Sequence, residues 1–222
     1  MGELLKTTAS DGHEFTSYLT QPTSTPLGGL VIIQEIFGVN KHIKSIADKY
    51  AKEGYLVAAP SLFDRIDKGI ELGYEPEDVE RGRALKYITG NEAPLKDIEA
   101  ARSIVSAAGK VGVIGFCWGG TLTWLAACKI PGFACASSYY GGGIGELISF
   151  TSKCPIIFHF GEEDDSIPID EVERVRVNQP NSPVYFYPAG HGFNCDERAS
   201  FEPISSKIAE ERTLEYLRQY LA

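Results

Sequence analysis

A chain of 222 residues with 43% hydrophobic and 23% charged content is long enough to bury a large core, and it has the bias of neither a disordered chain nor a fibre. A formal charge of -9 argues against nucleic acid as a partner and gives no attraction to anionic lipid, so an anionic small molecule would need a local basic cluster. The five cysteines (Cys117, Cys128, Cys135, Cys154, Cys195) include no Cys-x-x-Cys pair, which suggests a reducing compartment and neither a zinc site nor a disulfide framework.

The N-terminal stretch MGELLKTTASDGHEF lacks the apolar core of a signal peptide, and no apolar run approaches the roughly 20 residues that span a bilayer. A cytoplasmic protein without membrane association is expected. Asp11-Gly12, a strong hairpin signal, separates Leu4 to Thr7 from Phe15 to Leu19 and predicts an opening antiparallel ribbon. Pro22, Pro26 and the Gly28-Gly29 pair read as a loop, and Leu30 to Ile33 reads as a strand buried on both faces. Ile43, Ile46, Ala47 and Tyr50 predict an amphipathic helix from His42 to Gly54, with His42 at the start of a surface helix, and Tyr55 to Pro60 is the next strand. Between Ser61 and Asn91 the pattern loosens into a charged excursion with one helix, Pro76 to Tyr87, carrying Arg81, Arg83 and Lys86. A substrate-facing insertion would lie in this stretch, about 61–91; the plain alternative is a solvated helix face with pairs such as Glu77 with Arg81. Then come helix Leu95 to Ala108, strand Lys110 to Ile114, helix Thr121 to Ala127, strands Phe133 to Tyr140 and Pro155 to Phe160, helix Ile169 to Val177, strand Val184 to Tyr187 and helix Pro203 to Leu221. This alternation predicts one α/β domain over residues 1–222, a mostly parallel sheet with helices on both faces.

The organising stretch is Gly115-Phe116-Cys117-Trp118-Gly119-Gly120, between a predicted strand and a predicted helix. In that context Gly-x-Cys-x-Gly is the cysteine form of a nucleophile elbow, where small neighbours let a strained turn hold a reactive side chain clear of the sheet. Functional groups of open α/β sheets gather at the carboxyl ends of strands, and Glu35, Cys117, Asp164 and His191 all follow strands. The order nucleophile, acid, histidine is that of the α/β-hydrolase triad. Asp164 and Asp165 are both candidates for the acid by position. Of the four histidines, His13 lies in the ribbon, His42 starts a helix and His159 lies inside a buried strand, so only His191, flanked by glycines in a loop, suits a general base.

Gln34-Glu35-Ile36-Phe37-Gly38-Val39-Asn40, Gly115-Phe116-Cys117-Trp118-Gly119-Gly120, Tyr139-Tyr140-Gly141 and Ala189-Gly190-His191-Gly192-Phe193 together resemble the dienelactone hydrolase (carboxymethylenebutenolidase) family over nearly the whole chain. The resemblance implies an α/β-hydrolase fold and the triad Cys117, Asp164 and His191, with Asp164 rather than Asp165 as the acid. It also implies that Glu35 pairs with the resting thiol and is displaced by substrate, and that the Ile36 N–H joins that of Trp118 in an oxyanion hole. Family members hold a substrate carboxylate with two arginines. Arg81 matches the first, with Arg83 as rival; the second position is Cys195 here, and the nearest arginine, Arg198, would need a different loop path.

A helix N-terminus and a neighbouring histidine both favour a Cys117 thiolate, which would attack a lactone or ester carbonyl and form an acyl-thioester. No metal or organic cofactor is required by this chemistry, and the expected partner is a small-molecule lactone or ester bound by what is expected to be a monomer. A hydrolase of another small ester or thioester, without a carboxylate clamp, is the alternative that Cys195 favours. A non-catalytic binding module of the same fold would be marked by loss of a triad member, and none is lost.

Overall fold

The computed structural model describes residues 2–221. Its strands are β1 (Glu3–Thr8), β2 (Glu14–Thr20), β3 (Gly28–Ile33), β4 (Tyr55–Pro60), β5 (Val111–Phe116), β6 (Phe133–Tyr139), β7 (Ile156–Gly161) and β8 (Val184–Tyr187). Its α-helices are α1 (Lys41–Lys52), α2 (Pro76–Thr89), α3 (Ala93–Val105), α4 (Trp118–Lys129), α5 (Ile169–Asn178) and α6 (Pro203–Leu221).

One sheet takes the order β1-β2-β4-β3-β5-β6-β7-β8. The β1–β2 and β2–β4 pairs are antiparallel and the others parallel, so the predicted ribbon caps one edge of a parallel sheet. Every residue of β3, β5 and β7 is buried, as continuous apolar strands covered on both faces must be. From β3 the chain steps to β4 on one side and then crosses to β5 on the other. A crevice therefore opens beyond the carboxyl ends of β3 and β5, the usual ligand position in such sheets.

The Gly28-Gly29 pair belongs to β3 and not to the preceding loop, aligned with Tyr55 and Leu56 of β4. A side chain at Gly29 would collide with the Val105 carbonyl, so the glycines let the end of α3 seat against the strand. Helix α1 is capped by Asn40, whose Oδ1 accepts from the Ile43 N–H at 3.3 Å. Helix α4 is buried at every residue from Trp118 to Cys128, which fits a helix apolar on all sides at the centre of the molecule.

The excursion between β4 and α3 is tied down at both ends. Arg65 makes a bidentate pair with the buried Asp97 of α3, both bonds 2.7 Å. The Leu72 N–H donates to the Phe37 carbonyl at 2.9 Å, and Gly82 lets α2 approach so closely that a side chain there would meet the Ile36 carbonyl. The helix is thus seated directly on the segment that leaves β3.

Candidate active site

Strand β5 and helix α4 meet at Cys117, which has φ 55° and ψ -117°, a strained conformation for a residue with a Cβ. Only backbone packing holds such a turn. The Cys117 N–H donates to the Tyr139 carbonyl at 3.0 Å, and its own carbonyl accepts from Gly120 at 2.9 Å. A Cβ at Gly119 would stand 2.5 Å from the carbonyl oxygens of Ile33 and Gln34, and one at Gly120 would stand 2.5 Å from that of Tyr139. The glycines of the hexapeptide are thus required by the close approach of α4 to the neighbouring strands. The other four cysteines are buried; Cys117 is partly exposed.

His191 lies beside it in the loop after β8. Its Nδ1 is 2.8 Å from Asp164 Oδ2, and Asp164 Oδ1 accepts from the Ser166 N–H at 2.8 Å. Asp164 is buried, whereas Asp165 is exposed. Burial opposes a charge on His191, but the Cys117 charge, hydrogen bonds to Asp164 and Cys117, and the Asp164 charge together push its pKa up to about 10. The buried His159 behaves oppositely: its nitrogens are held by Tyr187 and Thr213, and burial pushes it down to about 3. It is a neutral structural histidine.

The first N–H of α4 belongs to Trp118, and that of Ile36 follows β3 across the crevice. Among the described residues neither has a hydrogen-bond partner, and both residues line a cavity of about 170 Å³ with Cys117 and His191. The Trp118 ring is fixed by stacking on Phe63 at 5.4 Å and by donating to Asn91 Oδ1 at 2.9 Å.

Arg83 and Lys86 of α2 reach the same cavity, as does Arg198. Arg81, the match suggested by resemblance, is exposed and is not among the lining residues. One helical turn separates Arg83 from Lys86, whereas Arg81 falls on the outward face. Arg198 needs no long detour. Successive turns, Cys195 N–H to Gly192 O at 2.9 Å and Arg198 N–H to Cys195 O at 3.1 Å, fold the loop back on itself. Gly192 has φ +80°, and a side chain there would strike the guanidinium. Arg198 Nη1 lies 3.3 Å from Oε1 of the buried Glu35, with the guanidinium over the Phe37 ring. Glu35 is therefore paired with Arg198, and the Cys117 charge and a hydrogen bond from His191 are among the causes that raise His191.

Three features escape a sequence reading. Tyr140, with φ 37°, packs its ring edge-on to His191 at 5.2 Å and buries its hydroxyl without a partner. His42 is buried and not on a surface, because Asp196 of the 192–202 loop lies over the start of α1, 3.0 Å from His42 Nδ1. Cys195 is buried between Tyr74 and Glu35; burial, then the Glu35 charge, push its thiol up to about 12.

Among the described residues, no helix is long and apolar enough to cross a membrane. The family model for the dienelactone hydrolase family matches residues 15–221. A Synechocystis sp. protein provisionally named carboxymethylenebutenolidase is 37% identical over 218 residues, covering 89% of this chain and 88% of that one. A Pseudomonas putida protein named carboxymethylenebutenolidase is 32% identical over 222 residues, covering 93% and 92%. Among solved structures, a Klebsiella pneumoniae protein provisionally described as a dienelactone hydrolase superposes with TM-score 0.86 at 29% identity, covering 99% of this chain and all of that one. A dienelactone hydrolase-like promiscuous phosphotriesterase from metagenomic libraries shares the fold at TM-score 0.79 and 18% identity, covering 99% of this chain and 98% of that one. The chain belongs to the dienelactone hydrolase family, with an α/β-hydrolase fold, and is a carboxylic ester hydrolase.

Proposed function

We propose that the chain hydrolyses a lactone or small ester bearing a carboxylate, through an acyl-thioester on Cys117. The observation that carries this reading is the juxtaposition of a strained, partly exposed Cys117 with the His191–Asp164 pair, at a cavity where Arg83, Lys86 and Arg198 converge. In a chain of net charge -9, three cations around one small cavity form the local basic cluster that an anionic substrate needs.

In this mechanism the Cys117 thiolate attacks the carbonyl carbon, and the carbonyl oxygen becomes an oxyanion held by the N–H groups of Trp118 and Ile36. Each such donor is commonly worth about 3–4 kcal/mol in the transition state. The tetrahedral intermediate collapses by breaking the ester C–O bond, and the His191 imidazolium gives its proton to the departing oxygen. The neutral imidazole then removes a proton from water, the hydroxide attacks the thioester, and the carboxylic acid leaves as the Cys117–His191 ion pair is restored. Asp164 keeps Nδ1 protonated, so Nε2 is the nitrogen that works on the reacting side.

A neutral short-chain ester is the second reading, favoured by Glu35, which already neutralises Arg198. The test is kcat/KM for dienelactone and for a neutral 4-nitrophenyl ester, with wild type and Cys117→Ala. Cys117→Ala should lose at least a thousandfold on both with its circular dichroism unchanged. Retained turnover in that variant would refute the thiol mechanism, and a wild-type preference for the neutral ester would select the second reading.

A further inference from the structure

Two residues seven apart, one after β3 and one at the start of α1, meet Cys195 of the 192–202 loop in the core. One ligand atom each from Glu35, His42 and Cys195 lie within 4.8 Å of one another, and all three residues are buried. We propose that Glu35, His42 and Cys195 form a binding site for a thiophilic divalent cation of the zinc type.

The imidazole supplies the observation that points to a ligand. His42 Nδ1 is paired with Asp196 at 3.0 Å, while Nε2 is buried and has no hydrogen-bond partner. A buried ring nitrogen without a partner forfeits about 1–3 kcal/mol. A histidine whose Nδ1–H is held by a carboxylate presents Nε2 as a lone-pair donor, the usual outer-shell arrangement of metal-bound imidazoles. A second buried polar atom without a partner, the Tyr140 hydroxyl, feels the charges of both Glu35 and Cys195.

The donor set suits the ion. Thiolate, imidazole and carboxylate are the ligands of zinc, at about 2.3, 2.0–2.1 and 2.0–2.2 Å, which puts ligand atoms about 3.3–3.8 Å apart around a tetrahedron. Closing from 4.8 Å asks at most about 1.5 Å of movement, within reach of rotamer adjustment by Glu35 and Cys195. Charge also balances. Cys195 gives up its thiol proton to solvent on coordination, and a thiolate and a carboxylate neutralise the dication. Arg198 is the competitor, since its guanidinium holds Glu35 at 3.3 Å; a bound cation would take the carboxylate and release Arg198 towards the cavity. This site does not depend on Cys117 being the nucleophile.

The test is titration of purified protein with Zn²⁺ by calorimetry and with Co²⁺ by absorbance. Because Cys117 and His191 offer a rival thiol and imidazole, both are run in the Cys117→Ala background. One equivalent should bind, with a thiolate-to-cobalt charge-transfer band, and both signals should be lost with Cys195→Ser or His42→Gln added. Circular dichroism and thermal melts check that those variants fold; if either does not, Cys195→Ala is the replacement and is read in the same way. Absence of the cobalt band in Cys117→Ala, or its survival without Cys195, would overturn the assignment. A band seen only while Cys117 is present would place any metal at the catalytic thiol and equally overturn it.

Discussion

Replacing Asp164 by Asn removes one charge and keeps the shape, and the fixed donors around the side chain decide the outcome. The Ser166 N–H, 2.8 Å from Oδ1, cannot turn away, so the carboxamide must keep its oxygen there. Its NH₂ group then faces His191 Nδ1, where Oδ2 now stands at 2.8 Å. Two donors cannot share that contact. The imidazole must therefore leave Nδ1 bare and carry its proton on Nε2, the wrong tautomer for a base facing Cys117 and water. Loss of one charge-assisted hydrogen bond is worth about 1.5–3 kcal/mol, which converts to about 10- to 150-fold in kcat/KM at about 1.4 kcal/mol per decade. The assay is the pH profile of 4-nitrophenyl ester hydrolysis, with NMR titration of the histidines. His191 should titrate well below its wild-type value in Asp164→Asn, and Asp165→Asn should leave both rate and titration unchanged. Full activity in Asp164→Asn, or a larger loss in Asp165→Asn, would refute this role for the Asp164 carboxylate.

Because His191 is raised from an unfolded value of about 6.5 to about 10, its contribution to stability is fully present below about pH 6.5 and is lost as pH climbs towards 10. The guanidinium unfolding midpoint of wild type should fall across that window while that of His191→Gln stays flat; a flat wild-type profile would remove the ion pair from the resting enzyme. Arg198→Met strands the buried Glu35 charge, at a cost of about 3–5 kcal/mol, or roughly 6–20 °C in Tm for a chain of this size, and adding Glu35→Gln should recover most of it. If Arg198 also holds the substrate's carboxylate, Arg198→Met should cost at least tenfold more in kcat/KM on dienelactone than on a neutral ester; equal losses would confine Arg198 to its pairing with Glu35.

Much of this arrangement is legible along the chain. Uninterrupted apolar strands separated by amphipathic helices announce a parallel sheet, and Cys117, Asp164 and His191 each stand where such a strand stops. Local patterns fail where a distant segment decides. Gly28-Gly29 looks like a turn, yet Val105, far along the chain, makes the pair a packing surface. His42 reads as the outer start of a helix because nothing near it tells of Asp196 folding over it. The excursion offers two exposed arginines on one helix, and only the seating of α2 on Ile36 brings Arg83 and not Arg81 to the cavity rim. Arg198 depends on two successive turns hinged at Gly192, information carried by backbone geometry and by no motif spacing. The Glu35, His42 and Cys195 cluster joins residues from opposite ends of the chain, so no spacing rule could propose it.

The crowding around Gly119 and Gly120 separates what can vary from what cannot. The atoms pressed against this turn are carbonyls of Ile33, Gln34 and Tyr139, which every amino acid possesses. The shape of the turn that carries Cys117 is therefore set by main chain, on which side-chain substitutions in the neighbouring strands have little purchase. Helix α2, a surface segment, brings three side chains to the cavity, Val79, Arg83 and Lys86, which can be exchanged without disturbing the sheet. A library restricted to Val79, Arg83 and Lys86 should therefore shift the choice among acyl groups while Cys117 and the turn that carries it stay as they are.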